Sequence, residues 1–298
     1  MHVLLSGASG FLGSACVDLF RRFPEIELSV VRSSSAECVL PLGSREIFLR
    51  DLTNPSELAQ SLGMRRPTHI VHLSALSSPL ACEQDPQLAQ RGNVGFTKTL
   101  VDLASMYEAH FIITSTDLVF DGVVAPPAGF SERDQPCPAA VYSRTKFEAE
   151  QVAQGYERGC VVRLCLLYGH SLSRSRGVLG WMEETLRAQQ ELLLFEDEFR
   201  TPIHVADAAH ALFKLTTSNH TGLWHCGGPE AMSRVEFGTA VAEALGYNSD
   251  LIRPARRRDL PSVPPRPENV SLNSSALWGL LGTTPRSVRD ALAQDSHS

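Results

Sequence analysis

The residues best suited to chemistry are Ser115-Thr116-Asp117-Leu118-Val119-Phe120-Asp121-Gly122 and, further along, Tyr142-Ser143-Arg144-Thr145-Lys146. Residues four apart share one face of a helix, so Tyr142 and Lys146 can point at the same ligand. An ammonium beside a phenol favours the tyrosinate, so Lys146 is expected to lower the Tyr142 pKa toward working pH. Thr116, a hydroxyl that closes a strand, would share a hydrogen bond to whatever oxygen Tyr142 protonates. Together the three form a proton-transfer set. A Tyr-x-x-x-Lys pair also arises by chance as a half-buried Tyr beside a solvated Lys, so a second signal has to support it.

The second signal is at the N-terminus. His2-Val3-Leu4-Leu5-Ser6 is the short apolar run of a buried parallel strand. It is followed at once by Gly7-Ala8-Ser9-Gly10-Phe11-Leu12-Gly13, which opens a helical pattern through Phe20. Glycines allow the tight strand-to-helix turn and let backbone N–H groups approach a pyrophosphate at the helix N-terminus. Gly7, Ser9, Gly10, Phe11, Leu12 and Gly13 are therefore read as cofactor-binding. The spacing is Gly-x-x-Gly-x-x-Gly, not the more widespread Gly-x-Gly-x-x-Gly.

The elements that must position these residues follow an alternating pattern. Strands are expected at Val3–Ser6, Glu27–Val31, Glu46–Leu49, His69–Leu73, His110–Ser115 and Val161–Leu167. Helices are expected around Phe11–Arg22, Pro55–Leu62, Pro86–Tyr107 and Tyr142–Arg158. The alternation implies an α/β, Rossmann-like doubly wound parallel sheet covered on both faces, with ligands at the carboxyl ends of its strands. Gly7, Leu73 and Thr116 all fall at such ends. Residues 1–168 would form the dinucleotide domain and residues 169–298 a smaller α/β substrate-binding lobe, with the chain crossing between them. In the second part, Leu192–Phe195, Ile203–His204 and Leu223–Cys226 read as short strands, and Val205–Thr216 and Arg234–Leu245 as helices. The segment from Arg253 to Pro267, rich in Pro and Arg, reads as a surface loop.

The second strand ends in Val31-Arg32-Ser33-Ser34, with Arg32 where NAD-binding folds place an acid for the ribose 2′-hydroxyl. A guanidinium followed by hydroxyls suits a 2′-phosphate, so NADPH is the expected cofactor and NADH the alternative. Asp51-Leu52, after the third strand, resembles the pair that flanks the adenine in the superfamily of such dinucleotide folds.

The chain has 298 residues, 43% of them hydrophobic, enough for a full core, and a net charge of −6 that argues against a nucleic-acid partner. Seven cysteines without Cys-x-x-Cys spacing fit a reduced, cytoplasmic chain rather than a disulfide scaffold. No apolar run approaches the ~18 residues of a membrane span.

These motifs, in this order, resemble the extended short-chain dehydrogenase/reductases, and within them the dTDP-4-dehydrorhamnose reductase family. The resemblance runs nearly end to end. It includes Gly7 to Gly13, His72-Leu73-Ser74-Ala75, Cys82-Glu83-Gln84-Asp85-Pro86 leading to Asn93, the Ser115-to-Gly122 octet, Tyr142 to Lys146, Arg163 to Tyr168-Gly169, and Arg266 to Asn273. It implies a catalytic set of Thr116, Tyr142 and Lys146. Cofactor contacts would extend to Leu73, Ser74, Ala75 and Asn93, and substrate contacts to Thr116, Asp117, Arg200 and Arg266, with Trp181 a further candidate. The implied partner is a nucleotide-sugar substrate, with a homodimer as one option and neither nucleic acid nor membrane. His204, Asp207 and His210 spread too widely around a helix for a metal site and resemble the family's Val-x-Asp segment.

Two places depart from the reductase pattern. Leu166 stands where a Trp lines the sugar pocket, and Phe199-Arg200-Thr201-Pro202-Ile203-His204-Val205 replaces a Gln-Phe-Gly-x-Pro-Thr type sequence. Both are more similar to the regulatory β subunit of methionine adenosyltransferase, which shares the fold and binds NADP. Three functions stay open on sequence: an NADPH-dependent reductase of a nucleotide-linked 4-keto-6-deoxy sugar, an NADP-binding regulatory subunit, and a nucleotide-sugar epimerase.

Overall fold

The apolar run His2–Ser6 forms a strand, β1, buried at every position. Its side chains alternate between two cores, as the two-residue period of a strand requires. Val3 and Leu5 face one, with Leu12, Cys16 and Phe20 of the following helix; Leu4 faces the other, with Leu58, Leu100 and Phe111. Each large side chain so buried contributes roughly 2 kcal/mol. In this computed structural model the chain is described over residues 1–33, 45–49, 54–170, 177–260 and 264–295, with backbone only at 32, 33, 45, 48, 49 and 55.

The first half runs β1, α1 (Phe11–Phe20), β2 (Glu27–Ser33), β3 (Arg45–Leu49), α2 (Pro55–Leu62), β4 (His69–His72), α3 (Pro79–Gln84), α4 (Pro86–Ala89), α5 (Phe96–Tyr107), β5 (His110–Thr116), α6 (Val141–Gln154) and β6 (Gly159–Leu164). Then come β7 (Leu167–Tyr168), α7 (Gly177–Arg187), β8 (Leu192–Phe195), β9 (Phe199–Arg200), β10 (Ile203–His204), α8 (Val205–Thr217), β11 (Gly222–Cys226), β12 (Met232–Ser233), α9 (Arg234–Ala244), β13 (Ile252–Ala255), α10 (Ser275–Leu281) and α11 (Val288–Asp295).

Among the described residues seven parallel strands form the central sheet, in the order β11-β6-β5-β4-β1-β2-β3. The order reverses beside β1, where β2 and β4 pair with its two edges. That switch point opens a crevice at the strand ends. Helices α1 and α8 cover one face; α2, α5 and α6 cover the other. The chain returns after Tyr168 to add β11 beside β6, so the sheet draws strands from both halves of the sequence. A smaller lobe gathers α7, α9 and α11 around the β8–β13 pair, with Met182, Leu194, Phe237 and Leu292 at its core.

Three elements differ from their sequence-based expectation. The helix expected from Pro86 to Tyr107 is interrupted by a π-helical turn, Gln90–Gly95, that brings Asn93 inward. The strand expected from Val161 to Leu167 stops at Leu164 and resumes as β7. The Pro- and Arg-rich segment begins as a strand, β13, which tolerates Pro254 because it pairs through β8 at the edge of a two-strand sheet. No described helix is long and apolar enough to cross a membrane.

Candidate active site

The glycine turn is shaped by close approach. Gly7 has φ +80°, and a Cβ there would meet Ser74 N at 2.7 Å, so the turn lies directly on the chain leaving β4. A Cβ at Gly13 would meet Gly7 O at 1.9 Å, so only glycine lets α1 start this near the turn. Helix α1 has no acid in its first turn and no side-chain cap at Gly10, a helix start whose dipole suits an anion.

A cleft of about 400 Å³ opens over this turn. Its walls include Gly7, Ser9, Gly10, Phe11, Leu12, Gly13, Leu73, Ser74, Ala75, Thr116, Tyr142 and Lys146, each singled out from the sequence. Ser115 Oγ, also on the wall, is buried and has no partner among the described residues. A helix start without a side-chain cap, a glycine floor and an orphaned buried hydroxyl fit a bound dinucleotide.

Tyr142 and Lys146 project from α6. Its buried face reads Ser143, Thr145, Lys146, Ala149, Glu150 and Ala153, a helical stripe against the sheet. Glu83 of α3 accepts from Val141 N at 2.8 Å, which fixes the first turn. Lys146 is almost fully buried. Burial lowers its pKa to about 8 despite the opposing charge of Glu150. Glu150 is held in turn by two bonds from the buried Arg163, at 2.9 and 2.7 Å. His72, at the end of β4, bonds Ser6 Oγ at 2.7 Å and Thr97 Oγ1 at 3.1 Å. Burial and the Lys146 charge push its pKa down to about 3, so the ring is neutral.

The Tyr142 phenol departs from expectation. Its pKa is raised to about 12, first by burial and then by the Asp117 carboxylate, with an opposing hydrogen bond from Thr116. Lys146 does not figure among the causes, and the expected lowering is not found. Here desolvation outweighs the ammonium one helical turn away.

A second, larger cavity of about 830 Å³ lies beside the cleft, and Tyr142 lines both. Leu118 and Phe120 from the chain after β5, Pro267, and the cations Arg200, Arg257 and Arg266 form part of its wall. Arg200 and Arg266, expected as substrate contacts, thus share one wall. Both are paired: Arg200 with Asp117 at 2.6 Å, Arg266 with Glu198 at 3.3 Å.

Other expected residues are not among these lining side chains. Asp117 lines neither cavity, because its carboxylate is taken up by Arg200, Thr116 and Cys165. Asn93 is also absent from the cleft wall. It is buried, accepting from Leu76 N at 2.8 Å and donating to Thr145 Oγ1 at 2.9 Å. Trp181 is 48% exposed on α7 and reaches neither cavity. His204 bonds Asp295 at 3.0 Å and Asp207 pairs with Arg286, while His210 is exposed. The Arg32 side chain, Asp51 and Leu52 lie outside the described residues. Sequence reasoning missed Thr114, Leu164 and Cys165 on the cleft wall, although all lie at or just after the ends of β5 and β6. Arg257 was legible as a cation in a basic run, but nothing local marked which of three consecutive arginines would turn inward.

Residues 1–296 match the family of the RmlD substrate binding domain. The chain is 27% identical over 296 residues to a probable low-salt glycan biosynthesis reductase of Haloferax volcanii, covering 98% of this chain and 96% of that one. It is 28% identical over 283 residues to methionine adenosyltransferase 2 subunit beta of Xenopus laevis, covering 93% and 81%. It is 27% identical over 297 residues to the dTDP-4-dehydrorhamnose reductase of Mycobacterium tuberculosis, covering 98% and 91%. Among solved structures, the fold matches a dTDP-4-dehydrorhamnose reductase of Clostridium acetobutylicum with TM-score 0.83, 22% identity and coverage of 100% and 99%. The same enzyme from Bacillus anthracis, in complex with NADP, matches with TM-score 0.81, 21% identity and coverage of 99% and 98%.

Proposed function

This chain belongs to the RmlD substrate binding domain family, and on that footing we propose that it is an NADPH-dependent reductase of a nucleotide-linked 4-keto-6-deoxy sugar. The observation that carries this reading is the place of Tyr142, on the shared wall of the cleft over the glycine turn and a second cavity lined by cations and apolar groups. A proton donor belongs at that junction when a substrate in one cavity is reduced from the other.

The Gly7–Gly13 turn would hold the pyrophosphate of NADPH, and Lys146 and Ser115 its ribose, and the bound cofactor would supply a hydride to a substrate carbonyl carbon. Tyr142 gives its phenolic proton to the carbonyl oxygen, so the ketone becomes an alcohol and the tyrosinate takes a proton back from solvent. A phenol with a pKa of about 12 is fully protonated near neutrality, the state a proton donor needs. Lys146 is positively charged below about pH 8. Its ammonium would favour the tyrosinate as it forms and donate to the cofactor ribose. Arg257 and Arg266 would meet the phosphates of the substrate, while Leu118 and Phe120 suit an apolar face such as that of a deoxy sugar.

The second reading, an NADP-binding regulatory subunit, draws on the similarity to methionine adenosyltransferase 2 subunit beta over 93% of the chain. One experiment separates the two. NADPH oxidation is followed with dTDP-4-dehydrorhamnose, beside NADH and Tyr142→Phe controls. Turnover that needs Tyr142 supports the reductase. Tight NADPH binding without turnover, on this ketone and on related keto sugars, sinks it in favour of the regulatory reading.

A further inference from the structure

The wall of the larger cavity holds three cations, Arg200, Arg257 and Arg266, and none carries an unbalanced charge. Among the described residues four carboxylates pair with them. Asp117 is 2.6 Å from Arg200, and Glu198 is 3.6 Å from Arg200 and 3.3 Å from Arg266. Arg257 has Asp197 at 3.6 Å and Glu268 at 2.9 Å. A phosphate entering this site gains little net attraction unless one carboxylate gives way.

Exposure decides which one. Asp117 and Glu198 are each 2% exposed, and parting either from its arginine would leave a buried charge uncompensated. Asp197 also accepts from Arg257 N at 3.0 Å, which ties it to the backbone. Glu268 is 60% exposed, and among the described residues its carboxylate bonds only Arg257 Nη2. Its backbone is fixed, because the Glu268 carbonyl accepts from Phe199 N at 2.7 Å, so rotation of the side chain alone releases the pair. Arg257 keeps its place without Glu268, since its Nη1 donates to the Arg266 carbonyl at 3.0 Å. An exposed ion pair contributes little to stability, whereas a guanidinium and a phosphate form a bidentate, charge-assisted contact.

We propose that Glu268 holds the place of a substrate phosphate: its carboxylate pairs with Arg257 until a phosphate-bearing ligand displaces it, so the site selects such ligands over neutral sugars. The inference rests on the reading of the larger cavity as the substrate site, and adds Glu268 as the residue that tunes affinity for the phosphates.

The test is the binding of dTDP, inorganic pyrophosphate and thymidine to the NADP-loaded protein. Calorimetry is run in about 0.15 M salt, so that distant charges are screened. Glu268→Gln and Glu268→Ala are expected to bind dTDP and pyrophosphate about fivefold more tightly than the native protein, with no gain for thymidine. Arg257→Gln is expected to weaken both anions by about tenfold. Adding Glu268→Gln to it should restore nothing, because the carboxylate then has no arginine to occupy. Native affinity in both Glu268 variants overturns the proposal, as does a gain that persists in the Arg257→Gln background or the failure of both anions to bind. Pyrophosphate carries neither base nor sugar, so the result does not depend on the choice of nucleotide. The expected gain without turnover on any keto sugar would sink the reductase reading and leave the role of Glu268 standing. Turnover together with native affinity in the Glu268 variants would do the reverse.

Discussion

Asn93 Nδ2 donates to Thr145 Oγ1 at 2.9 Å, joining a π-helical turn to the helix that carries Tyr142 and Lys146. The same amide accepts from Leu76 N at 2.8 Å, next to Ala75 on the cleft wall. One buried side chain therefore sets the distance between the cleft rim and the proton donor. Asn93→Ala would strand the Leu76 N–H, at a cost of about 1–3 kcal/mol. The variant is expected to unfold at lower denaturant and to lose about tenfold or more in turnover, because small displacements of a catalytic group are costly. Native stability and native rate in Asn93→Ala would show that the clamp is dispensable.

Glu150 and Arg163 are both buried and joined by two hydrogen bonds, and Arg163 also lies over the Phe120 ring at 5.2 Å. Removing one partner leaves an uncompensated buried charge, a loss of roughly 3–5 kcal/mol. Glu150→Leu with Arg163→Met is expected to be less destabilised than Glu150→Ala alone. Equilibrium unfolding of the two proteins decides it, and a double variant weaker than the single would refute the argument.

Burial lowers the Lys146 pKa to about 8, and the Glu150 charge keeps it from falling further. Above that pH the amine is neutral and loses its charge-assisted bond to a ribose hydroxyl. NADPH affinity should therefore weaken as pH rises through about 8, by about tenfold in all. In Glu150→Gln the weakening should begin at lower pH. Titration of NADPH binding by fluorescence across this range reads both effects; a dependence that survives in Lys146→Ala would assign it to another group.

What was legible in the sequence was what local chemistry alone dictates. The apolar runs of β1, β4, β5 and β6 are buried throughout, and Gly7 to Gly13 make the expected turn. The Tyr142–Lys146 spacing put both side chains on one wall, since helix geometry fixes that face. The π-turn at Gln90–Gly95 was not legible. It replaces an α-helical repeat without any Pro, and its partners are Leu76 and Thr145, far along the chain. The Tyr142 pKa was misjudged for a similar reason. Lys146 is visible four residues away, whereas burial and the Asp117 charge exist only after folding. Trp181 shows the opposite limit: an aromatic in the substrate half is a candidate for the pocket on sequence, but its helix turns it outward.

The glycines of the turn should differ in their tolerance. Gly13→Ala places a Cβ 1.9 Å from Gly7 O, a contact that only displacement of α1 or the turn can relieve. Gly10→Ala brings its Cβ no nearer than 3.2 Å to the same oxygen. Gly13→Ala is expected to cost about 1–3 kcal/mol of stability and most of the NADPH affinity. Gly10→Ala should keep its fold and lose affinity only. Equal melting temperatures for the two would contradict the crowding seen at Gly13.

Acid should destabilise the fold through its buried histidines. His110 and His225 have pKa values lowered to about 4, and His72 to about 3, each chiefly by burial, from 6.5 in the unfolded chain. Below pH 6.5 the unfolded chain binds protons that the native protein does not, so stability falls as pH falls. Each histidine contributes about 1.4 kcal/mol per pH unit once below its unfolded value. The loss from His110 and His225 levels off near pH 4, while that from His72 continues to about 3. His110 Nε2 bonds the His220 carbonyl at 2.7 Å, a bond the amide of Gln can also donate, so His110→Gln should flatten the acid slope by about one proton. Urea unfolding at a series of pH values measures the slope. A native protein whose stability is level through this window, or a His110→Gln variant with the native slope, would show that these rings do not set the acid limit.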